Sequence, residues 1–216
     1  MNLGIYGAGG LGKEICELAK RCNSISGRWE RIVFIDDCKE AGCFFGTDLI
    51  RFETLHEERK DFECIVGVGE PIVREMLFNK LVANGHAIAT IIDPSVCCSA
   101  TARIGEGTVI CEFGSIHADV VIGDNCLIQP YCLIGHDSRI GSHSVLSPHF
   151  TPGGGLVLGN RVFAGMNSSI KEYTKVGDDV IIAMGAAVFS DLPSGVTVVG
   201  NPSRITKGRD SHRVFD

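Results

Sequence analysis

Three groups of residues in this chain have types and spacing suited to chemistry. The first is Gly135-His136-Asp137. An imidazole titrates near neutrality and takes a proton from an attacking amine or hydroxyl, and a neighbouring carboxylate holds its tautomer. The second is Gly7-x-Gly9-x-x-Gly12, which follows a strand pattern and opens a helical one. There Gly9, Gly10, Leu11 and Gly12 let a pyrophosphate approach the free N–H groups of a helix N-terminus. Lys13 suits a phosphate contact and a solvated first-turn lysine equally. Asp36 and Asp37, which close the second strand, suit hydrogen bonds from a ribose hydroxyl or a base edge. The third is Thr151-Pro152-Gly153-Gly154-Gly155, either a flexible turn or a close backbone approach with one N–H facing an oxyanion. The plain alternatives are a ligand-free strand-to-helix turn at the first glycines and surface decoration at His136. His117, His143 and His149 compete with His136, but His143 lacks an acidic follower. Nothing in the spacing of these histidines, or of the adjacent Cys97-Cys98, requires a metal.

The elements that must position these groups follow two grammars. From Ile104 to Val188 an aliphatic residue returns every sixth place, with Pro152 and Ala164 as the exceptions. Glycine often follows it, and a small or β-branched residue comes four places after it. This period fits neither a helical stripe nor an alternating strand. It fits short strands joined by tight turns and coiled so that each rung stacks on the one below, a hexapeptide-repeat parallel β-helix. Glycine after the aliphatic suits a corner where a side chain would crowd or φ must turn positive.

Residues 1–92 instead alternate strands and helices, as in a Rossmann-like α/β parallel sheet. Expected strands are Leu3–Tyr6, Ile32–Ile35, Cys64–Gly69 and His86–Ile92. Helices are expected after Gly12 and from Pro71, a good first-turn proline. The stretch from Lys39 to Asp61 reads as a loop, a short strand and a helix near Glu53–Lys60. The expected division is a nucleotide-binding domain over 1–92, a catalytic coil over 93–202 and a polar tail over 203–216. A sheet of about four strands has room for one mononucleotide unit, which favours a nucleoside diphosphate carrying a sugar over a dinucleotide.

The net charge of −6 and pI near 5.6 argue against a general nucleic-acid or anionic-membrane surface. No signal peptide or membrane-spanning run is visible, so the ten cysteines are expected as mostly buried, reduced thiols in a cytoplasmic protein.

Tyr6-Gly7-Ala8-Gly9-Gly10-Leu11-Gly12, Phe34-Ile35-Asp36-Asp37, Val68-Gly69-Glu70 with Arg74, Ile134-Gly135-His136-Asp137 and Val199-Gly200-Asn201-Pro202 together resemble a known family. It is the PglD/NeuD-like group of left-handed β-helix sugar acetyltransferases, and the resemblance covers nearly the whole chain. It implies acetyl-CoA as donor, a nucleotide-linked amino sugar as acceptor, no metal, and a homotrimer with sites between subunits. It implies His136 as general base supported by Asp137, and Leu11, Gly12, Lys13, Asp36, Asp37 and Gly69 as nucleotide-sugar contacts. It implies Gly154, Met166 and Met184 as acetyl-CoA contacts. This sequence departs from the family at Val145, where members can carry a second histidine, and at Glu70, where asparagine or aspartate is more usual. Two other activities fit the same residues: O-acetylation of a sialic-acid-type sugar, and an NAD-binding oxidoreductase or sensor whose coil only trimerises.

Overall fold

A computed structural model of the chain describes residues 1–57, 62–206 and 213–215, without the side chain of His56. Its N-terminal part holds β1 (Asn2–Tyr6), α1 (Gly10–Ser26), β2 (Ile32–Ile35), β3 (Gly42–Phe44), β4 (Thr47–Ile50), α2 (Phe52–Glu57), β5 (Phe62–Val66), α3 (Pro71–Ala83) and β6 (Ala87–Ile88). The six strands form one sheet in the order β3-β4-β2-β1-β5-β6. All pairings are parallel except the β3–β4 hairpin. The hairpin adds a strand to the sequence expectation for Lys39 to Asp61, and the end of the helix expected near Lys60 lies outside the described residues.

Seventeen two-residue strands follow, β7 to β23, from Ile91–Ile92 to Ala187–Val188. They stack in parallel with a register of three hexads: Val109 pairs with Leu127, Val121 with Arg139, and Ser115 with Leu133. The result is the parallel β-helix that the period predicts, left-handed as the resemblance implies, with three faces and three corner columns. The repeating aliphatics fill its interior, from Ile110 through Ile134 to Val188. Thr108, Cys126, Ser138, Ser144 and Val162, each four places after an aliphatic, are fully buried.

The corner glycines serve packing rather than a turned φ. A Cβ on Gly141 would lie 2.4 Å from the Gly159 carbonyl carbon on the next rung. The positive φ falls two places later, on residues such as Asn125, Asp137, His143 and Tyr173. The expected strand His86–Ile92 is divided: Ala87–Ile88 ends the N-terminal sheet, while Ile91–Ile92 pairs with Val109–Ile110 as the first rung of the coil. The tail, expected to be a short helix or loose end, begins instead as β25 (Arg204–Thr206), antiparallel to β24 (Thr197–Val199). Lys207 and Arg209 lie outside the described residues.

Helix α1 lays Ile15, Leu18 and Ala19 on the coil face made by Ile91, Val109, Leu127 and Val145. Arg21 fixes one edge of this seam, donating to Asp93 at 2.7 Å and Glu112 at 3.0 Å. Arg74 of α3 fixes the other. Its fully buried guanidinium donates to Val66 O, Val68 O, Asn125 O and Asn125 Oδ1, and Asn125 Nδ2 returns a bond to Arg74 O. Burial lowers the Arg74 pKa to about 10, so it stays charged at neutral pH. Asn125 also meets His143 Nδ1 at 3.0 Å, and the His143 ring lies edge-on to Phe78.

Arg74→Ala strips buried carbonyls on both sides of the seam and should cost about 3–5 kcal/mol in denaturant-unfolding experiments. Burial lowers the pKa of His143 despite the nearby Glu75 carboxylate, which raises it. The unfolded chain therefore binds more protons as pH falls past about 6.5, and stability present above that pH is lost below it. A His143→Gln variant should flatten this part of a stability–pH profile.

Candidate functional site

The glycine loop assigns its residues different tasks. Gly12 needs to be glycine for packing, because a Cβ there would lie 2.0 Å from Gly7 O. Gly7 has φ +123, with Val68 and the Gly67 carbonyl against it. Gly9 and Gly10 face open space, with nothing within 4 Å of a Cβ. Gly9 is the N-cap of α1, and no side chain bonds to the helix end or places an acid in its first turn. This leaves a bare N-terminus able to receive an anion.

In front of it lies a cavity of about 560 Å³, walled by Gly7 to Leu11, Asp36, Lys39, Val68, Gly69 and Phe215. Asp36 spends its carboxylate on the loop itself, accepting from Ala8 N at 3.0 Å and Cys38 N at 2.9 Å. Asp37 does not line the cavity. It accepts from Tyr6 Oη at 2.6 Å, Lys80 Nζ at 2.8 Å and Phe52 N at 3.0 Å. Burial would raise its pKa, but the donors, Lys80 foremost, outweigh that and hold it low. Lys13 also turns away, its ammonium 5.2 Å from the Phe44 ring centroid. Lys39, which sequence reasoning missed, is the cation in the cavity wall. It donates to Ala8 O and sits 4.3 Å from the Phe44 centroid.

A second cavity of about 620 Å³ opens between α1 and the coil. Met166 and Met184 line it from successive rungs of one corner column, with Val145, Phe163, Gly10, Leu11 and Gly69. The two cavities share Gly10, Leu11, Gly69 and Phe215.

His136, Asp137 and Gly154 stand together at another corner and line neither cavity. Asp137 Oδ2 lies 2.7 Å from His136 Nδ1, which directs the Nδ1 proton to the carboxylate and leaves the Nε2 lone pair bare. The ring lies over Gly154, with Nε2 only 2.7 Å from where a Cβ would stand. The turn is held by Gly155 N to His136 O, 2.7 Å, and Tyr173 N to Gly154 O, 2.9 Å.

This corner differs from the one packed on α3. There each corner amide is capped from the next rung: Glu106 N by Asp124, Asp124 N by Ser142, Ser142 N by Asn160 and Asn160 N by Asp178. Among the described residues neither the His136 nor the Gly154 amide has an acceptor. A bare imidazole nitrogen therefore lies beside an unoccupied N–H.

The competing histidines are engaged elsewhere. His143 is in the Asn125 seam, His149 stacks on Tyr131 at 4.9 Å, and His117 meets Ser115 at 3.1 Å. All ten cysteines are free, but Cys38, Cys43, Cys97 and Cys98 are exposed, against the expectation of buried thiols. No metal-binding group and no helix long and apolar enough to cross a membrane occurs among the described residues.

The family described as the PglD N-terminal domain matches residues 2–81, and bacterial transferase hexapeptide repeats match within residues 101–149. The first match falls on the N-terminal sheet and the second on the coil. Two solved structures match over nearly the whole chain. The acetyltransferase domain of PglB from Neisseria gonorrhoeae is 29% identical, over 95% of this chain and 99% of that one, with a TM-score of 0.88. A perosamine N-acetyltransferase from Caulobacter crescentus, solved with CoA and GDP-perosamine, is 26% identical over 96% and 97%, with a TM-score of 0.88. Among curated proteins, an acyl-(acyl-carrier-protein)–UDP-N-acetylglucosamine O-acyltransferase from Burkholderia thailandensis is 33% identical over 105 residues. That match covers 45% of this chain and 40% of the relative, so the chain spans well under half the length of such proteins.

The glycine loop makes a contrast that thermal or denaturant unfolding can measure. Gly12→Ala should destabilise by about 1–3 kcal/mol through overpacking. Gly10→Ala should leave stability nearly unchanged, since a Cβ there meets open space.

Proposed function

We propose that the chain is an acetyltransferase that moves acetyl from acetyl-CoA to the amine of a nucleotide-linked amino sugar, a 4-amino-6-deoxy sugar for preference. The observation that carries the reading is the His136–Asp137 pair seated on Gly154, a base with a fixed tautomer beside an uncapped amide. In this reading the nucleotide rests on the bare α1 N-terminus, with Gly9, Gly10, Leu11, Gly12, Gly69 and Asp36 around it. Asp37 and Lys13 then shape the pocket from behind rather than touch the ligand. The CoA arm runs along the Met166–Met184 corner. Solved relatives containing acetyl coenzyme A, or CoA with GDP-perosamine, support the two classes of ligand.

His136 Nε2 takes the proton as the sugar amine attacks the thioester carbon, and the Gly154 N–H receives the developing oxyanion. Collapse of the tetrahedral species expels the CoA thiolate, which recovers a proton from the imidazolium. Much of the rate comes from holding the two substrates together. Because His136 lines neither cavity of its own chain, the reading places each site between subunits. His136 and Gly154 of one copy then face the cleft of the next in a homotrimer. Ten free cysteines suit a reducing, cytoplasmic setting.

The test is thiol release from acetyl-CoA over a panel of UDP-, dTDP- and GDP-linked 4-amino sugars and free sialic acids, with light scattering for the oligomer. One amino sugar should turn over, and His136→Ala should reduce kcat by about 10²–10⁴-fold. Turnover of sialic acids alone moves the protein to O-acetylation. Activity untouched by His136→Ala removes the mechanism.

A further inference from the structure

Phe215 and Glu70 belong to no step described so far, yet they occupy the junction of the two cavities. The Phe215 ring is 55% exposed. It is braced edge-on by Phe163, with centroids 5.5 Å apart, and its Cε2 lies 3.7 Å from where a Gly69 Cβ would stand. An exposed phenyl ring fixed inside a cleft is an unfavourable surface unless something apolar covers it.

The ring is also deliberately anchored. Glu70 is the N-cap residue of α3, but its side chain makes no bond to that helix. Its carboxylate, in a residue only 7% exposed, instead accepts from Val214 N at 2.9 Å and Phe215 N at 3.0 Å. Its Oε1 is buried without a partner among the described residues. A carboxylate taken from water to hold two backbone amides is costly. That cost is the mark of a position fixed for a purpose.

We propose that Phe215, held by Glu70, is the wall of the acceptor-sugar subsite and selects a sugar with a methyl group over one with a hydroxymethyl group. This rests on the nucleotide-sugar reading above and goes beyond it. Gly10, Leu11, Gly69 and Phe215 are the residues common to both cavities, so a sugar reaching from the nucleotide loop toward the coil crosses between them. Two glycines, a leucine and a phenyl ring offer C–H and π surface and no side-chain hydrogen-bond partner. A deoxy carbon packs well there, whereas a hydroxyl would be desolvated without compensation. Glu70 is the positioning residue and Phe215 the specificity-determining one.

The test is calorimetric binding to the full chain of three probes: a nucleoside diphosphate, its 4-amino-4,6-dideoxy sugar, and the 6-hydroxy counterpart of that sugar. UDP, dTDP and GDP series are run in parallel. Wild type should favour the 6-deoxy sugar. Phe215→Ala should weaken binding of the 6-deoxy sugar about 10-fold more than it weakens binding of the nucleoside diphosphate, and should lose the preference. Phe215→Leu should keep part of it, and Glu70→Ala should mimic Phe215→Ala without altering the ring. Unchanged sugar affinity and preference in Phe215→Ala overturns the proposal while leaving the nucleotide pocket standing. Binding of none of the nucleotides by wild type removes the nucleotide-sugar reading itself, and this proposal with it.

Discussion

The guanidinium of Arg74 is sealed from water and donates to carbonyl oxygens of Val66 and Val68 on one side and to Asn125 on the other. No carboxylate takes part in those bonds, so the charge is stabilised by backbone dipoles whose positions belong to two different folds. The strand end that carries Val66 and Val68 leads directly into Gly69, at the mouth of both cavities. Asn125 is a coil corner with φ +52. Shifting either partner would strand several buried polar atoms at once, and that penalty fixes the angle between glycine loop and coil. The cleft has its shape because this seam has only one way to close.

The coil itself divides its work by corner. The column facing α3 uses Asp124, Ser142, Asn160 and Asp178 to cap the amides beneath them, a self-satisfied ladder that needs no partner. The column carrying Met166 and Met184 leaves apolar side chains in a cavity. The column carrying His136 has no such caps among the described residues, its Ala118, His136, Gly154 and Glu172 amides all lacking an acceptor. A structural bond is forgone where an N–H can instead meet a ligand. Stability comes from the aliphatic interior, and what sets the His136 corner apart is the imidazole–carboxylate pair standing beside its uncapped amides.

Much of this was legible in the sequence because the governing contacts recur. The hexad from Ile104 to Val188 sets interior, corner and register together, since each rung makes the same contacts as its neighbour. The strand, glycine loop and α1 were equally legible, because Gly7 and Gly12 meet within one turn. What escaped depends on distant partners that no period announces. Arg74 finds Asn125 across 51 residues, and Glu70 finds Val214 across 144. Asp36 and Asp37 looked like ligand contacts from their place at a strand end. Asp36 lines the cavity while bracing the loop, whereas Asp37 joins Tyr6 and Lys80 away from it, a distinction that depends on side-chain direction alone. The division of His86–Ile92 between two sheets was hidden for a related reason, since an aliphatic run reads alike in either.

The register of the coil, with Leu127 over Val109 and Val145 over Leu127, also constrains how such a chain can change length. Removing six residues between His136 and Gly154 would keep every aliphatic pointing inward and leave the core intact. The chain beyond the cut would nevertheless turn by one face, carrying Gly154 away from the imidazole it underlies. Losing a whole coil would restore the faces but bring a different rung beneath His136. Insertions and deletions here are therefore screened twice, first in hexads for folding and then in whole coils for alignment of the corners. A coil of this kind is inherited as a count as much as a sequence.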